Sequence, residues 1–278
     1  MAERQHRQAR GAVVVVAVLV AGACAAGCSG SGSGSADALA ADPVGTLRRA
    51  PDTLVDAGSS KASTSMEMAT GGTRVTIRGE GVYDYRGRLG RLRVLLPQDP
   101  AGTSEHRPIT ELLAPGALFM KNRGAGVPAD KWVRVDTAGL SDGNLVTGGA
   151  TDPLAAAEVL RGTRTATYVG VTELAGTEVR HFRGTADLTA AARSASGANR
   201  GVLAAAAKGF ATAAVPFDVY LDDQGRIRKV RHRFSFVNGQ QPGTVAVAST
   251  TLLYDFGVAA DVRLPAARDI YAGKIAEG

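Results

Sequence analysis

The chain has 278 residues, a formal charge of +6 from 32 Lys and Arg against 26 Asp and Glu, and only two cysteines. With 45% hydrophobic and 21% charged residues it is ordinary globular material, neither a disordered chain nor an integral membrane protein. The cysteine count excludes a disulfide-stapled miniprotein and a zinc–cysteine module, and no apolar run reaches the roughly 20 residues of a spanning helix.

The N-terminus reads as a targeting segment. Arg4, Arg7 and Arg10 form a basic region, and residues 11–23 an apolar one of signal-peptide length. Ala25-Ala26-Gly27-Cys28 follows, then a Gly/Ser run over 29–35. Small residues before a cysteine, with a flexible polar stretch after it, resemble the lipobox of bacterial lipoproteins. That resemblance implies a signal peptide over 1–27, lipidation of Cys28, a tether over 28–41, and one domain over 42–278. Cys24, behind Ala21-Gly22-Ala23, competes with Cys28, and an ordinary secretory peptide or an uncleaved anchor is the plainer alternative. Cleavage before Cys28 removes three arginines and Glu3, lowers the charge to +4 and leaves no other cysteine. Such a balance suits an anionic membrane surface and gives no warrant for nucleic acid.

In the remaining chain, Asp42-Pro43 signals a helix start, with Pro51 expected to interrupt the helix. Strand chemistry fills 62–70 and 73–85, a hairpin turn falls at Arg86-Gly87-Arg88, and Leu92, Val94 and Leu96 alternate with polar residues on the returning strand. Residues 109–113, 117–121 and 132–135 are three further strands. Thr151-Asp152-Pro153 opens a second helix, closed by Gly162. Residues 165–174 and 177–188 form a hairpin, and alanine-rich 189–212 one or two helices. Strands then fill 217–221, 226–237 and 244–256. The expected class is α+β, with about ten or eleven antiparallel strands in a sheet long enough to curl and helices on one face.

Three stretches carry a further resemblance. They are residues 176–188 (GTEVRHFRGTADL), residues 215–222 (VPFDVYLD) with Gly225-Arg226-Ile227-Arg228, and Tyr254-Asp255-Phe256-Gly257 with Val262-Arg263-Leu264-Pro265. With the lipobox they resemble the LppX/LprG-type lipoproteins of actinobacteria, related in fold to the LolA and LolB carriers. The resemblance implies a half-barrel with helices over its concave side, an apolar cavity between them, and a lipid or glycolipid as ligand. The Ala, Gly and Arg bias is that of a GC-rich actinobacterial genome. Alternation nominates Leu92, Val94, Leu96, Val219, Leu221, Val230, Phe234, Phe236 and Leu252 as lining residues, and a register error of one would turn a strand inside out.

No reactive constellation emerges. His106, His181 and His232 lack metal-ligand spacing, and the two in strands among arginines read as surface histidines, solvated or hydrogen-bonded. There is no GxSxG or SxxK, and Gly79-Glu80-Gly81 and Gly124-Ala125-Gly126 lack a phosphate loop's further glycine. Asp222-Asp223 fits a turn without calcium. Arg226, Arg228, Lys229, Arg231 and Arg233 form a basic strand, a solvated convex face or a docking edge for anionic headgroups or a partner. The expectation is a non-enzyme without cofactor or metal: a lipid carrier anchored on the outer face of the cell membrane, working with an envelope transporter. The alternatives are a ligand-responsive sensor acting through a signalling protein, and a structural envelope lipoprotein.

Overall fold

The computed structural model describes residues 39–70, 72–97, 107–124, 126–147, 150–237 and 244–273. Cys24, Cys28, the signal segment and His106 lie outside them, as does Ala125 of the second glycine motif. Eleven strands form one antiparallel sheet in the order β6-β5-β4-β3-β2-β1-β11-β10-β9-β8-β7. They are β1 Ser59–Thr70, β2 Thr73–Asp84, β3 Leu89–Leu95, β4 Ile109–Ala114, β5 Ala117–Lys121, β6 Val133–Asp136, β7 Thr163–Leu174, β8 Thr177–Asp187, β9 Ala214–Leu221, β10 Ile227–Val237 and β11 Thr244–Tyr254. Two meanders, β1–β6 and β7–β11, join where β11 pairs with β1 over Lys61↔Tyr254 to Ala69↔Ala246. The sheet stays open, with β6 and β7 as its edges.

Helices enter where the sequence places caps. Asp42 accepts from the Gly45 N–H at 2.9 Å and starts α1 (Pro43–Ala57), which ends at Gly58 with φ of 84°. Pro51 does not interrupt α1, contrary to expectation. It lies on the face buried with Leu47, Ala50 and Leu54, so packing outweighs the one backbone bond a proline removes. Residues 39–41, expected as tether, are helical, and the Leu39 carbonyl accepts from Thr46 Oγ1 at 3.2 Å. Asp152 Oδ1 accepts from the N–H groups of Leu154 and Ala155 at 2.8 and 3.0 Å and starts α2 (Pro153–Glu158), all six of whose residues are buried. α3 (Leu188–Ser194) and α4 (Asn199–Gly209) lie between β8 and β9.

One polar network ties these helices together. Arg161 donates to both oxygens of Asp52 in α1, at 3.0 and 2.6 Å, and to Glu158 at 2.7 Å. Glu158, fully buried, also accepts from Ser196 Oγ at 2.6 Å in the α3–α4 connection. A buried carboxylate with this many donors is compensated.

Glycines let neighbouring strands, and the segment leading into α2, lie close on the inner face of the sheet. A Cβ on Gly79 would stand 2.7 Å from Thr64 Oγ1 and 3.2 Å from Ala150 Cβ, and one on Gly81 would run into the Arg91 carbonyl. Close approach, rather than phosphate binding, explains Gly79-Glu80-Gly81. Gly81→Ala is expected to cost about 1–3 kcal/mol, read as a lowered denaturant midpoint; an unchanged midpoint would contradict that packing.

Candidate functional site

Strand register sorts the candidate residues. On the inner face one row runs Ile109, Val94, Gly79, Thr64, Thr251, Val230, Val219 and Phe182 across eight strands. A neighbouring row runs Ile77, Met66, Ser249, His232, Phe217 and Gly184. On the other side lies the row Met120, Glu111, Leu92, Gly81, Ala62 and Leu253. Leu92, Val94, Val219, Leu221, Val230 and Phe234 are all buried in one apolar cluster with the helices, and Leu96 and Phe236 pack against it half-buried.

Leu252 departs from the expectation. It pairs with Ser63 and Lys229 in an outer row, while Val245, Val247, Ser249, Thr251 and Leu253 form the buried face of β11. Two adjacent leucines end this strand, so alternation alone could not choose between them.

His232 also departs from it. Instead of standing on the surface it is 1% exposed on the inner face, 5.7 Å from the Phe234 ring. Its Nε2 has no partner among the described residues, and burial pushes its pKa down to about 3, so the ring is neutral. The residue pattern Val230-x-His232-x-Phe234 already carried the signal, since it places the histidine on the apolar face.

Glu111, which sequence reading passed over, is 0% exposed, in register between Leu92 and Met120 of the neighbouring strands, with neither carboxyl oxygen partnered among the described residues. Burial pushes its pKa up to about 8, against a smaller opposing pull from Arg123, so at neutral pH the carboxyl is protonated.

The outer face carries a different chemistry. Asp218 accepts from His181 Nε2 at 2.8 Å, Arg183 Nε at 2.9 Å and Arg233 Nη2 at 2.9 Å. Burial would raise its pKa, but the combined bonds from Arg183, His181 and Arg233 outweigh it and hold the carboxyl at about 2. His181 is thus hydrogen-bonded, and it stacks on Tyr220 at 4.4 Å. Asp222 closes its turn by accepting from the N–H groups of Gln224 and Arg226 at 3.1 and 2.9 Å, without need of an ion. Asp218 contributes stability that is complete above the unfolded pKa near 3.8 and lost as pH falls toward 2. Asp218→Asn is therefore expected to lower stability at pH 7 and to flatten its loss between pH 4 and 2, read by urea unfolding across that range.

Cavities open beside α4. One of about 490 Å³ lies between Ala138–Ser141 and the helix, lined by Gly201, Ala204, Ala205, Lys208 and Gly209. A second, of about 310 Å³ between α3 and α4, has a floor of Ala192, Ala204 and Ala207 under Arg193, Arg200 and Lys208. A third, of about 150 Å³, reaches the sheet at Phe236 and is bounded by Phe210 at the end of α4. Phe210 stacks on Phe234 at 4.8 Å and 11°, and Phe234 lies between Phe236 and His232 along the inner face of β10.

The lipoprotein LppX of Mycobacterium tuberculosis is among the solved structures this chain is similar to. The identity is 10% over 80% of this chain and 100% of that one, with a TM-score of 0.48. LprF from Mycobacterium bovis follows at 11% over 82% and 98%, with a TM-score of 0.40. The MucA/MucB complex of Pseudomonas aeruginosa follows at 16% over 84% and 63%, with a TM-score of 0.32. No protein-family model matches the chain, and no curated protein matches it in sequence. Likenesses this distant describe general shape and assign no ligand. Among the described residues no cluster of three or more His, Cys, Asp or Glu is placed to hold a metal, and no helix is long and apolar enough to cross a membrane.

Proposed function

We propose that this chain is a lipoprotein of the cell envelope that binds an acylated lipid or glycolipid beneath its helices and carries it, without catalysing a reaction. The observation that carries this reading is the helix layer. α4 carries Ala204 to Ala207 with little side-chain volume, grooves open along both of its sides, and a smaller cavity at its end reaches the apolar sheet face at Phe236. Acyl chains seated there gain about 0.8 kcal/mol per buried CH₂, enough for tight binding with few polar contacts. Leu92, Val94, Leu96, Val219, Leu221, Val230, Phe234 and Phe236 supply the sheet side of the site. Arg193, Arg200 and Lys208 at the groove rim suit the anionic surface from which a lipid is drawn.

The lipobox pattern supports a signal peptide over 1–27, a lipid anchor at Cys28 and a place on the outer face of the cell membrane. With Cys28→Ala the protein should leave the membrane fraction for the soluble one; retention would move the anchor to Cys24 or make the segment an uncleaved helix. A sensor acting through a protein partner is the second reading. It is favoured by the exposed cations Arg183, Arg231 and Arg233 on the outer face, whose side chains are 65%, 39% and 46% exposed.

The test of binding is extraction. Vesicles of radiolabelled membrane lipid are incubated with the protein and then sedimented. Near one lipid per protein in the supernatant is expected; label that stays wholly with the vesicles would overturn the reading.

A further inference from the structure

Buried polar atoms without partners are rare in folded proteins, and each costs about 1–3 kcal/mol. In this chain two such atoms lie diagonally across neighbouring strands of the inner face. His232 Nε2 and Thr251 Oγ1 belong to residues that are each 1% exposed, and neither has a partner among the described residues. Ser249, opposite His232 on β11, shares a hydrogen bond of 2.7 Å with Thr151, whose hydroxyl is also 3.1 Å from the Leu145 carbonyl. Thr64, opposite Thr251 on β1, reaches the Gly79 carbonyl at 3.5 Å. The sheet floor thus holds a polar island inside an apolar surface, with its members on β1, β11 and β10. Two of them are left open.

The island is uncharged. The rows containing Thr251 and Ser249 carry no carboxylate, lysine or arginine; their ionisable residues are Tyr168, at the β7 end, and His232, whose ring burial keeps neutral. In the next row the buried carboxyl of Glu111 is held in its protonated form. An anion placed here would lose its hydration and meet no cation. A carbonyl oxygen would instead receive two hydrogen bonds that the protein otherwise leaves unmade.

We propose that the His232–Thr251 pair is a recognition point for the carbonyl oxygen of an uncharged acyl ester, with His232 Nε2–H and Thr251 Oγ–H donating to it. The inference rests on the lipid-binding reading and narrows it to ligands whose polar group is buried and neutral. The acyl chains then run along the Val, Leu and Phe surface on either side. The stacked pair Phe210 and Phe234 separates the island from the 150 Å³ cavity at Phe236 and must part to admit the ligand.

The experiment compares two probes with identical fluorescent acyl chains, a diacylglycerol and a phosphatidylglycerol, in uptake by the full chain. The wild type is expected to take up the diacylglycerol at least tenfold more tightly. His232→Leu with Thr251→Val removes both donors at similar volume. It should weaken diacylglycerol uptake about tenfold, the worth of one well-made pair of hydrogen bonds, and leave phosphatidylglycerol uptake where it was. Thermal stability should not fall, because the variant no longer buries unpaired polar atoms.

Equal uptake of both probes by the wild type overturns this inference and leaves lipid binding intact. So does unchanged diacylglycerol uptake by the double variant, as expected if the two atoms hold only water. Uptake of neither probe removes the lipid-binding reading and this inference with it. The comparison of probes on the wild type needs no variant to fold.

Discussion

Replacing Glu111 by leucine should make the protein more stable, by an amount that depends on pH. In the unfolded chain this carboxyl titrates near 4.5, and in the fold near 8, because burial in the core penalises its charged form. Between those values folding takes up a proton, so this residue lowers stability progressively as pH rises, with the full cost present above pH 8. At pH 7 the cost is about 3 kcal/mol. His232 acts in the opposite sense. Its folded pKa of about 3 lies below the ordinary 6.5, so its contribution is complete above 6.5 and lost as pH falls toward 3. The two effects offset each other between about pH 4.5 and 6.5, and above that Glu111 acts alone. The stability gained by Glu111→Leu should therefore grow by about 3–4 kcal/mol between pH 5 and 8, measured by urea unfolding at fixed ionic strength. A gain that does not change with pH would mean that Glu111 is paired in solution. A carboxyl this costly, kept without a partner among the described residues on the inner side of the sheet, is a destabilising feature that the rest of the core must offset.

The second large effect concerns access. Ala204 lines both grooves flanking α4 and is half-buried between them. Ala204→Trp would fill much of that space from a position with room for the ring. Lipid uptake should fall at least tenfold while the thermal midpoint moves by only a few degrees. Uptake at the wild-type level would show that the ligand reaches the sheet by another path, and collapse of the fold would be met by the smaller Ala204→Leu, which is expected to give a partial loss.

Much of the architecture was legible because it depends on local rules. Asp42-Pro43 and Asp152-Pro153 start the helices they announce, and the Asp222 turn closes through its own side chain. Strict alternation in Val219, Leu221, Val230 and Phe234 gave the correct face. Alternation fails where a strand is covered on both sides. On β4, Leu112 joins Phe119, Trp132 and Ile270 in a second apolar cluster on the outer face, where the C-terminal segment bonds back to Trp132 at 2.8 Å. With Leu112 and Leu113 both buried, the pattern around Glu111 gives no period of two, and the inward carboxyl went unseen. At the end of β11 the pair Leu252-Leu253 hid the register in the same way. Pro51 is a case of packing overriding propensity, since it is held by the same buried face that makes α1 helical.

The polar island was hidden for another reason. His232 belongs to β10, Ser249 and Thr251 to β11, Thr64 to β1 and Thr151 to the approach to α2, and only the β11–β1 join brings the two meanders side by side. Nothing in any one of these segments announces it. Two hydroxyl residues in a strand and a histidine among arginines are ordinary until the register sets them together.

Lipid binding is tested most directly by native mass spectrometry of the full chain purified from envelope membranes in mild detergent, followed by organic extraction and lipid analysis of the same sample. Near-stoichiometric bound mass is expected, assigned on extraction to an uncharged lipid with at least one ester-linked chain, in addition to any chains covalently attached at the N-terminus. A bare protein mass that gains nothing from added membrane lipids would contradict the account.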